Sequence, residues 1–497
     1  MVKASTFLFS LTSAAVFFVV LFADLLPLPA GGYAVQRFLQ VGLLAVACAS
    51  AAAMLMRRKG IGVVKQLWPS LLVASSFIIL AVPFGNSPFA WVEPGLYAAF
   101  FFGFVAIGSI PGTDDEKRQW VVILVYSAVF FGGLYGAATL MVYFFALSDQ
   151  VSRLDAFIPW GFVNIRYWGH IATWSIPLMA LAALVGPLSD QRMWRFLCGV
   201  TGALWWWIVF VSTARGTTLG LAFGVVVAFI CVGRPALPWL KTFFRYLAFG
   251  VCAWLILSII VPNLVLDEMT VRSVYTGSDG RLPLFSEAWR MSLQNFPLGM
   301  GPQAWITHET LTEEYLKSKK YGHPHNMYLM WAAEYGWLMV CILLVLVVHA
   351  IRLFFGRISL NRDELNGNGT AMAAFTASVS AALFHAGVSS VFIAPGSMLV
   401  GFMVLCVFWS LISPNEFTFT KSGSDTKFAA STAFILIGFL AFMWLREVVI
   451  YYEAMVEDRN YYFETQPYGT PPRFWHYGLF PRPPSQMIRD GSGSSSD

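Results

Sequence analysis

The side chains best suited to chemistry gather at the end of one stretch. From about Val261 to Tyr328 the chain is largely polar between strongly apolar runs, and this segment closes on His323-Pro324-His325-Asn326. It carries Asp267, Glu268, Arg272, Asp279, Arg281, Glu287, Arg290, Lys317, Lys319 and Lys320, in a chain in which only 12% of residues are charged. So apolar a protein keeps such groups together where water or a charged ligand solvates them. An imidazole exchanges a proton near neutral pH. His325, where the chain re-enters an apolar run, is therefore the candidate general base, fixed by the following helix and exposed to the outer face. The competing reading is that His323 or His325 caps the helix start, assisted by Asn326, a favoured N-cap type.

Arg215 lies in Ser212-Thr213-Ala214-Arg215-Gly216-Thr217-Thr218-Leu219, a tight junction between two apolar runs. Its small neighbours leave the guanidinium fork open to a phosphate, and snorkelling to the interface is the plainer role. Arg166 and His170 are four apart on one helix face and offer a second positive wall, or a pair with Asp155. Arg281, Arg290 and the three lysines add positive charge to the outer segment, which suggests an anionic ligand there or simply solvated charge. Glu334 lies roughly 13 Å along the helix from His325 at 1.5 Å per residue. A carboxylate at that depth costs ~2.5–3.5 kcal/mol unless paired, so an arginine or hydroxyl partner is expected in the bundle interior. His385 is expected to be a hydrogen-bonded core histidine. Asp114-Asp115 falls beside Lys117 and Arg118 on the expected inner side, whereas Asp267-Glu268 is an adjacent acidic pair outside; neither a metal nor a cofactor is expected. The sequence has no Walker loop, GxGxxG unit, HExxH or cysteine cluster, which argues against a nucleotide-driven pump and a zinc protease.

Membrane helices are expected to hold these groups in place. Hydrophobic residues make up 57% of the 497 positions and the mean hydropathy is +0.65, values that exclude an ordinary soluble globule. The apolar runs are continuous rather than alternating, so the fold class is all-α: a polytopic membrane protein with about 12–13 transmembrane helices and one long periplasmic loop carrying short amphipathic helices. Candidate spans lie at 5–23, 33–56, 68–84, 94–110, 119–147, 167–186, 194–212, 216–233, 245–262, 326–352, 371–391, 395–412 and 427–449. With the N-terminus in the cytoplasm and the first helix uncleaved, Arg57-Arg58-Lys59, Lys117-Arg118, Arg192/Arg195, Arg234/Lys241/Arg245, Arg352/Arg357/Arg362 and Lys421/Lys427 all fall inside. The loop near 148–166, the Arg215 junction and the 263–325 segment then share the outer side. The chain accordingly divides into nine helices over 1–262, the loop 263–325, C-terminal helices over 326–449, and an aromatic and proline-rich tail over 450–497 ending in a disordered Gly-Ser terminus.

Within the loop, Leu284 to Phe296 has Phe285, Trp289 and Leu293 four apart, with Glu287, Arg290 and Gln294 on other faces; this is an amphipathic helix suited to the membrane surface or to capping the bundle. Pro297, Gly299, Gly301 and Pro302 force a turn, and a short charged helix is expected over Leu311–Lys320. The six cysteines all fall in apolar runs as packing residues. The net charge of +5 is scattered over short loops, which gives no reason to invoke nucleic acid.

In this order the motifs resemble those of the O-antigen ligase and polymerase superfamily of bacterial inner-membrane glycan transferases. Arg215-Gly-Thr-Thr-Leu219 resembles an Arg-x3-Leu element. Gly280-Arg281 with Trp289 and Pro297-Leu-Gly299-Met-Gly301 resembles the start of the family's outer loop. His325-Asn326, nine residues, then Gly336 resembles the ligase pattern His-(Asn/Ser/Gln)-x9-Gly-x-x-(Gly/Thr/Tyr), with Glu334 two residues before the glycine. Two features depart from the ligases: Met339 at the last position of that pattern, and a thirteenth span where twelve are usual. The resemblance implies transfer of a glycan from an undecaprenyl-diphosphate-linked donor, on the periplasmic face of the inner membrane, to a hydroxyl of lipid A core. His325 would act as base, and Arg215, Arg281 and Arg166 would offset charge on the leaving diphosphate without a metal. His323, Asn326, Arg290 and Glu334 complete the expected substrate-binding set. Relatives with the same donor chemistry would extend a growing glycan or glycosylate protein hydroxyls. From a different class, a lipid-linked glycan transporter would use the arginines for binding and His325 as a proton relay, but would favour midplane charges and repeated halves.

Overall fold

The computed structural model describes residues 4–57, 61–151, 153–266, 280–360, 365–414, 424–459 and 472–476. Among the described residues there are helices and no strand. In chain order the α-helices are α1 (Ala4–Phe22), α2 (Gly31–Arg57), α3 (Ile61–Ala81), α4 (Val92–Gly108), α5 (Asp114–Ser148), α6 (Ile165–Ala182), α7 (Arg192–Val211), α8 (Arg215–Val232), α9 (Leu237–Trp254) and α10 (Val261–Leu266). They continue with α11 (Arg281–Gln294), α12 (Ala304–Thr307), α13 (Glu313–Leu316), α14 (Met327–Leu360), α15 (Leu365–Ala386), α16 (Pro395–Ile412) and α17 (Ser424–Glu457). The protein is an all-helical, polytopic membrane protein. Among the described residues, 10 helical segments are long and apolar enough to cross a membrane. The other three expected spans are helical too, as α4, α6 and α15. α4 is apolar but only 17 residues long. α6 is buried from Tyr167 to Ala182, so neighbouring helices rather than lipid surround His170, Thr173 and Ser175, and the helix need not be lipophilic.

The chain packs as two units, one formed by Met1–Leu39, Gly108–Gly277 and Arg352–Asn415, the other by Gln40–Ile107, Ser278–Ile351 and Glu416–Asp497. In the first, α6 is surrounded by α5, α7, α8, α9, α15 and α16. α8 and α15 approach closely because α8 presents glycine: a Cβ at Gly224 would lie 2.2 Å from the Ala377 carbonyl oxygen, and one at Gly220 2.8 Å from that of Ala381. Small residues four apart replace side-chain interdigitation with backbone contact, a common solution between membrane helices. α5 opens on Thr113, whose hydroxyl accepts from Glu116 N–H at 3.3 Å, with Asp114, Asp115 and Glu116 in its first turn, all favoured at a positive dipole end. Asp114 is engaged by Arg357, and buried Lys117 donates to the Ser413 carbonyl at 2.6 Å.

The second unit contains α3, α4, α11, α12, α13 and α17 with the adjoining parts of α2 and α14. α17 is fastened to α4 by the Trp444 indole, which donates to the Val92 carbonyl at 3.0 Å. Beyond α17, residues 472–476 are folded against it. Phe474 and Trp475 are buried and their rings lie 5.6 Å and 6.3 Å from that of Tyr451. All six cysteines are unpaired. Arg58, Lys59, Asp267, Glu268, Arg272, Asp279, Arg362, Lys421 and the Gly-Ser terminus lie outside the described residues, as does the side chain of Asp155.

Candidate active site

The second unit builds its site on an interruption in α14. At Gly336 the backbone takes φ +82°, and the peptide groups freed from the helix are bonded by the Pro297–Gly301 turn. Met300 N–H donates to Ala333 O at 2.8 Å, Gly301 N–H to Glu334 O at 2.8 Å, and Leu338 N–H to Pro297 O at 3.3 Å. The backbones touch. A Cβ at Gly336 would stand 1.9 Å from Pro297 O, and one at Gly299 2.4 Å from Gly336 N. Both glycines singled out in the sequence are therefore required by the same contact, where a positive φ and the absence of a side chain are both needed. Met339, the departure from the ligase pattern, is fully buried.

The histidine turn precedes this break by one helical segment. Asn326 is the N-cap of α14, its side-chain oxygen accepting from Leu329 N–H at 3.0 Å, so the capping role belongs to Asn326 rather than to a histidine. His325 has φ +58°, a left-handed conformation uncommon for a side-chain-bearing residue. The turn is tied locally, since His325 N–H donates to His323 Nδ1 at 3.1 Å. The two imidazoles pack edge to face at 4.3 Å, and Tyr321 meets His325 at 4.9 Å. His325 is 4% exposed and His323 6%. The sequence placed His325 open to the outer face. It is enclosed instead, because Tyr321 and His323 pack their rings against it.

Glu334 lies inside the bundle, 1% exposed, and has the arginine partner its depth requires. That partner is Arg473, from the segment after α17. Its Nη2 donates to both Glu334 carboxylate oxygens at 2.8 Å. Its Nε and Nη2 form a two-pronged pair with Glu93 at 2.8 Å each, and Nη1 donates to the Gly322 carbonyl at 3.0 Å. Trp305 adds a backbone N–H to Glu334 Oε1 at 3.1 Å, while its indole donates to Tyr321 O at 2.8 Å. Burial works against the charge of Arg473, and the two adjacent carboxylates outweigh it, so the guanidinium stays protonated. The surrounding wall is aromatic: Phe77, Tyr97, Trp331 and Tyr335 lie with ring centres 5.0–6.4 Å apart.

In the outer segment α11 buries Leu284, Glu287, Ala288, Met291 and Ser292, while Trp289 is 48% and Leu293 45% exposed. The expected amphipathic helix is present, but Glu287 is on its inner face. Its carboxylate accepts from Leu311 N–H at 2.7 Å, Thr312 Oγ1 at 2.6 Å and His308 Nε2 at 2.8 Å. Burial alone would raise its pKa, yet these donors outweigh burial and leave it below the usual carboxylate value. The expected charged helix is the single turn of α13, capped by Thr312. Arg281 is half-buried at the start of α11, and Arg290 is exposed.

The remaining expected residues belong to the first unit. Arg215 is exposed at the first position of α8, after Thr213 at φ +46°. Arg166 is exposed in the first turn of α6, whose N-cap Asn164 accepts from Arg166 N–H at 2.9 Å. His170, on the same helix face, is fully buried and lies 2.7 Å from Ser389 Oγ, so it adds no open positive wall. His385 is a hydrogen-bonded core residue, 2.9 Å from Thr173 Oγ1.

Sequence reasoning missed Glu93, Trp305 and Arg473. Glu93 stands alone at the edge of an apolar run, and Arg473 sits between Pro471-Pro472 and Phe474-Trp475. An isolated charge among prolines and aromatics was the available sign that this part of the tail packs.

A family model described as O-Antigen ligase matches residues 200–348. The match takes in Arg215, Arg281, the Pro297–Gly301 turn, His325, Glu334 and Gly336. No curated protein matches the chain.

Proposed function

Residues 200–348 carry the domain of the O-antigen ligase family, and from that premise we propose that the protein transfers a glycan from undecaprenyl diphosphate to an acceptor hydroxyl on lipid A core, at the periplasmic face of the bacterial inner membrane. The family implies O-antigen ligase or polymerase-type chemistry on a lipid-linked glycan within a membrane. The family match itself carries this reading. The enclosed histidine turn, set immediately before a broken membrane helix, is in keeping with it.

In the proposed step His325 takes the proton of the acceptor hydroxyl as that oxygen attacks the anomeric carbon. The bond from the anomeric carbon to the diphosphate breaks, and its electron pair leaves with undecaprenyl diphosphate. One displacement inverts the anomeric centre. Guanidinium groups offset the charge that builds on the departing diphosphate, the role assigned to Arg281 with Arg215 and Arg166. Arg290, His323 and Asn326 complete the binding set; Glu334, expected in that set too, is buried with both carboxylate oxygens on Arg473. At 4% exposure His325 is shielded from bulk water that would compete for the anomeric carbon.

A polymerase that adds repeats to a lipid-linked chain is the second reading, favoured by Met339 at the last pattern position and by α17 as a further spanning helix. The test is reconstitution of the full chain with an undecaprenyl-diphosphate glycan and separate core-sugar and glycan acceptors, with and without chelator. Joining to core, unaffected by chelator, is expected. Movement of labelled glycan across vesicles with no joining to any acceptor would overturn the enzyme reading, and strong chelator sensitivity the metal-free step.

A further inference from the structure

We propose that Arg473 is a positioning residue for His325, so that the C-terminal segment is part of the active-site scaffold; this rests on the reading of His325 as the base. The turn bearing His325 is held at two successive carbonyls. Tyr321 O accepts from the Trp305 indole at 2.8 Å and Gly322 O from Arg473 Nη1 at 3.0 Å. Both donors are anchored on one carboxylate, since Glu334 accepts Arg473 Nη2 at 2.8 Å and Trp305 N–H at 3.1 Å. Glu93 grips the remaining edge of the guanidinium through two bonds of 2.8 Å. A planar fork held at several points transmits a fixed distance, which a flexible ammonium cannot do.

The clamp acts where the backbone needs it. His325 is held at φ +58°, and its own N–H is committed to His323 Nδ1, so a shift of the Gly322 peptide moves both imidazoles. Arg473 is 0% exposed. It acts through the turn and Glu334, which makes it a positioning rather than a catalytic residue. Glu334, with both oxygens engaged, belongs to the same device.

The test uses the full chain reconstituted with the undecaprenyl-diphosphate glycan and core acceptor, comparing Arg473→Lys and Trp305→Phe with the unaltered protein. Each substitution keeps charge or ring but removes the hydrogen bond to the turn. In folded protein, kcat is expected to fall by about 10- to 100-fold, as small misplacements of a reacting group do, with donor KM within about twofold, and the limb of the pH–rate profile due to His325 is expected to shift. An unchanged kcat and pH limb in either folded variant overturns the proposal. So does a loss of activity in both variants that merely follows loss of folded protein, which would make Arg473 a stabiliser only. His325→Ala in parallel separates the two readings. Activity retained there sinks the general base; activity abolished there but kept in Arg473→Lys sinks the positioning role alone.

Discussion

Two buried carboxylates share one guanidinium beneath the histidine turn, and their energetics follow from what each would be alone. Glu93 and Glu334 are 3% and 1% exposed, and without Arg473 they would be like charges in an aromatic box. Removing one partner of a buried ion pair typically costs 3–5 kcal/mol, whereas replacing the whole set with apolar residues of similar volume is often neutral. Arg473→Leu is therefore expected to lower stability by about 3–5 kcal/mol, read as a drop in the thermal midpoint in detergent. Combining Arg473→Leu with Glu93→Leu and Glu334→Leu is expected to restore most of that midpoint while leaving the protein inactive. Equal midpoints for Arg473→Leu and the unaltered chain would show the triad to be energetically idle. The sequence made Glu334 legible, because a lone carboxylate deep in an apolar helix demands a partner. It did not identify Arg473, because the partner lies 139 residues away and such a distance leaves no periodic trace.

At the scale of elements, the break in α14 and the Pro297–Gly301 turn form one piece of backbone. Gly336→Ala sets a Cβ 1.9 Å from Pro297 O and imposes a positive φ on a side-chain-bearing residue, worth roughly 1–3 kcal/mol before any clash. It is expected to cut the yield of folded protein sharply. Gly356→Ala in the same helix meets nothing within 4 Å and is expected to leave yield and midpoint unchanged or better, since glycine is a poor helix former. Similar behaviour of the two variants would refute the argument from close approach.

The folded pKa of Glu287 lies below its ordinary value. The stability it adds is thus complete above the unfolded carboxylate pKa of about 4.3 and is lost as pH falls through the folded value. Hydrogen exchange over residues 281–320 should accelerate as pH drops through that window, after correction for intrinsic rates. Glu287→Gln should flatten the dependence, and an unchanged slope would assign it elsewhere. The spacing of Phe285, Trp289 and Leu293 made the helix legible, but not its orientation. Counting charge as outward misplaces a carboxylate that finds three donors inside.

Across the whole molecule, the order of apolar runs was enough to give an all-helical membrane protein, and each of the thirteen expected spans is helical, the one over 326–352 with a break at Gly336 that the apolar run did not announce. What composition could not convey is which helices face lipid. α6 carries His170, Thr173 and Ser175 because protein surrounds it, and α8 carries Gly220 and Gly224 because α15 lies against them. In cells, loss of a ligase is expected to leave bare lipid A core with lipid-linked polymer accumulating. Core bearing a single repeat unit would instead identify a polymerase.

The most direct test of the account compares glycan joining by His325→Ala and unaltered protein, matched for folded protein and for donor binding, in one reconstituted bilayer. General-base catalysis contributes typically 10²–10⁴-fold, so a loss of about that size in kcat is predicted, with donor affinity kept. Full transfer activity in His325→Ala would contradict the account at its centre.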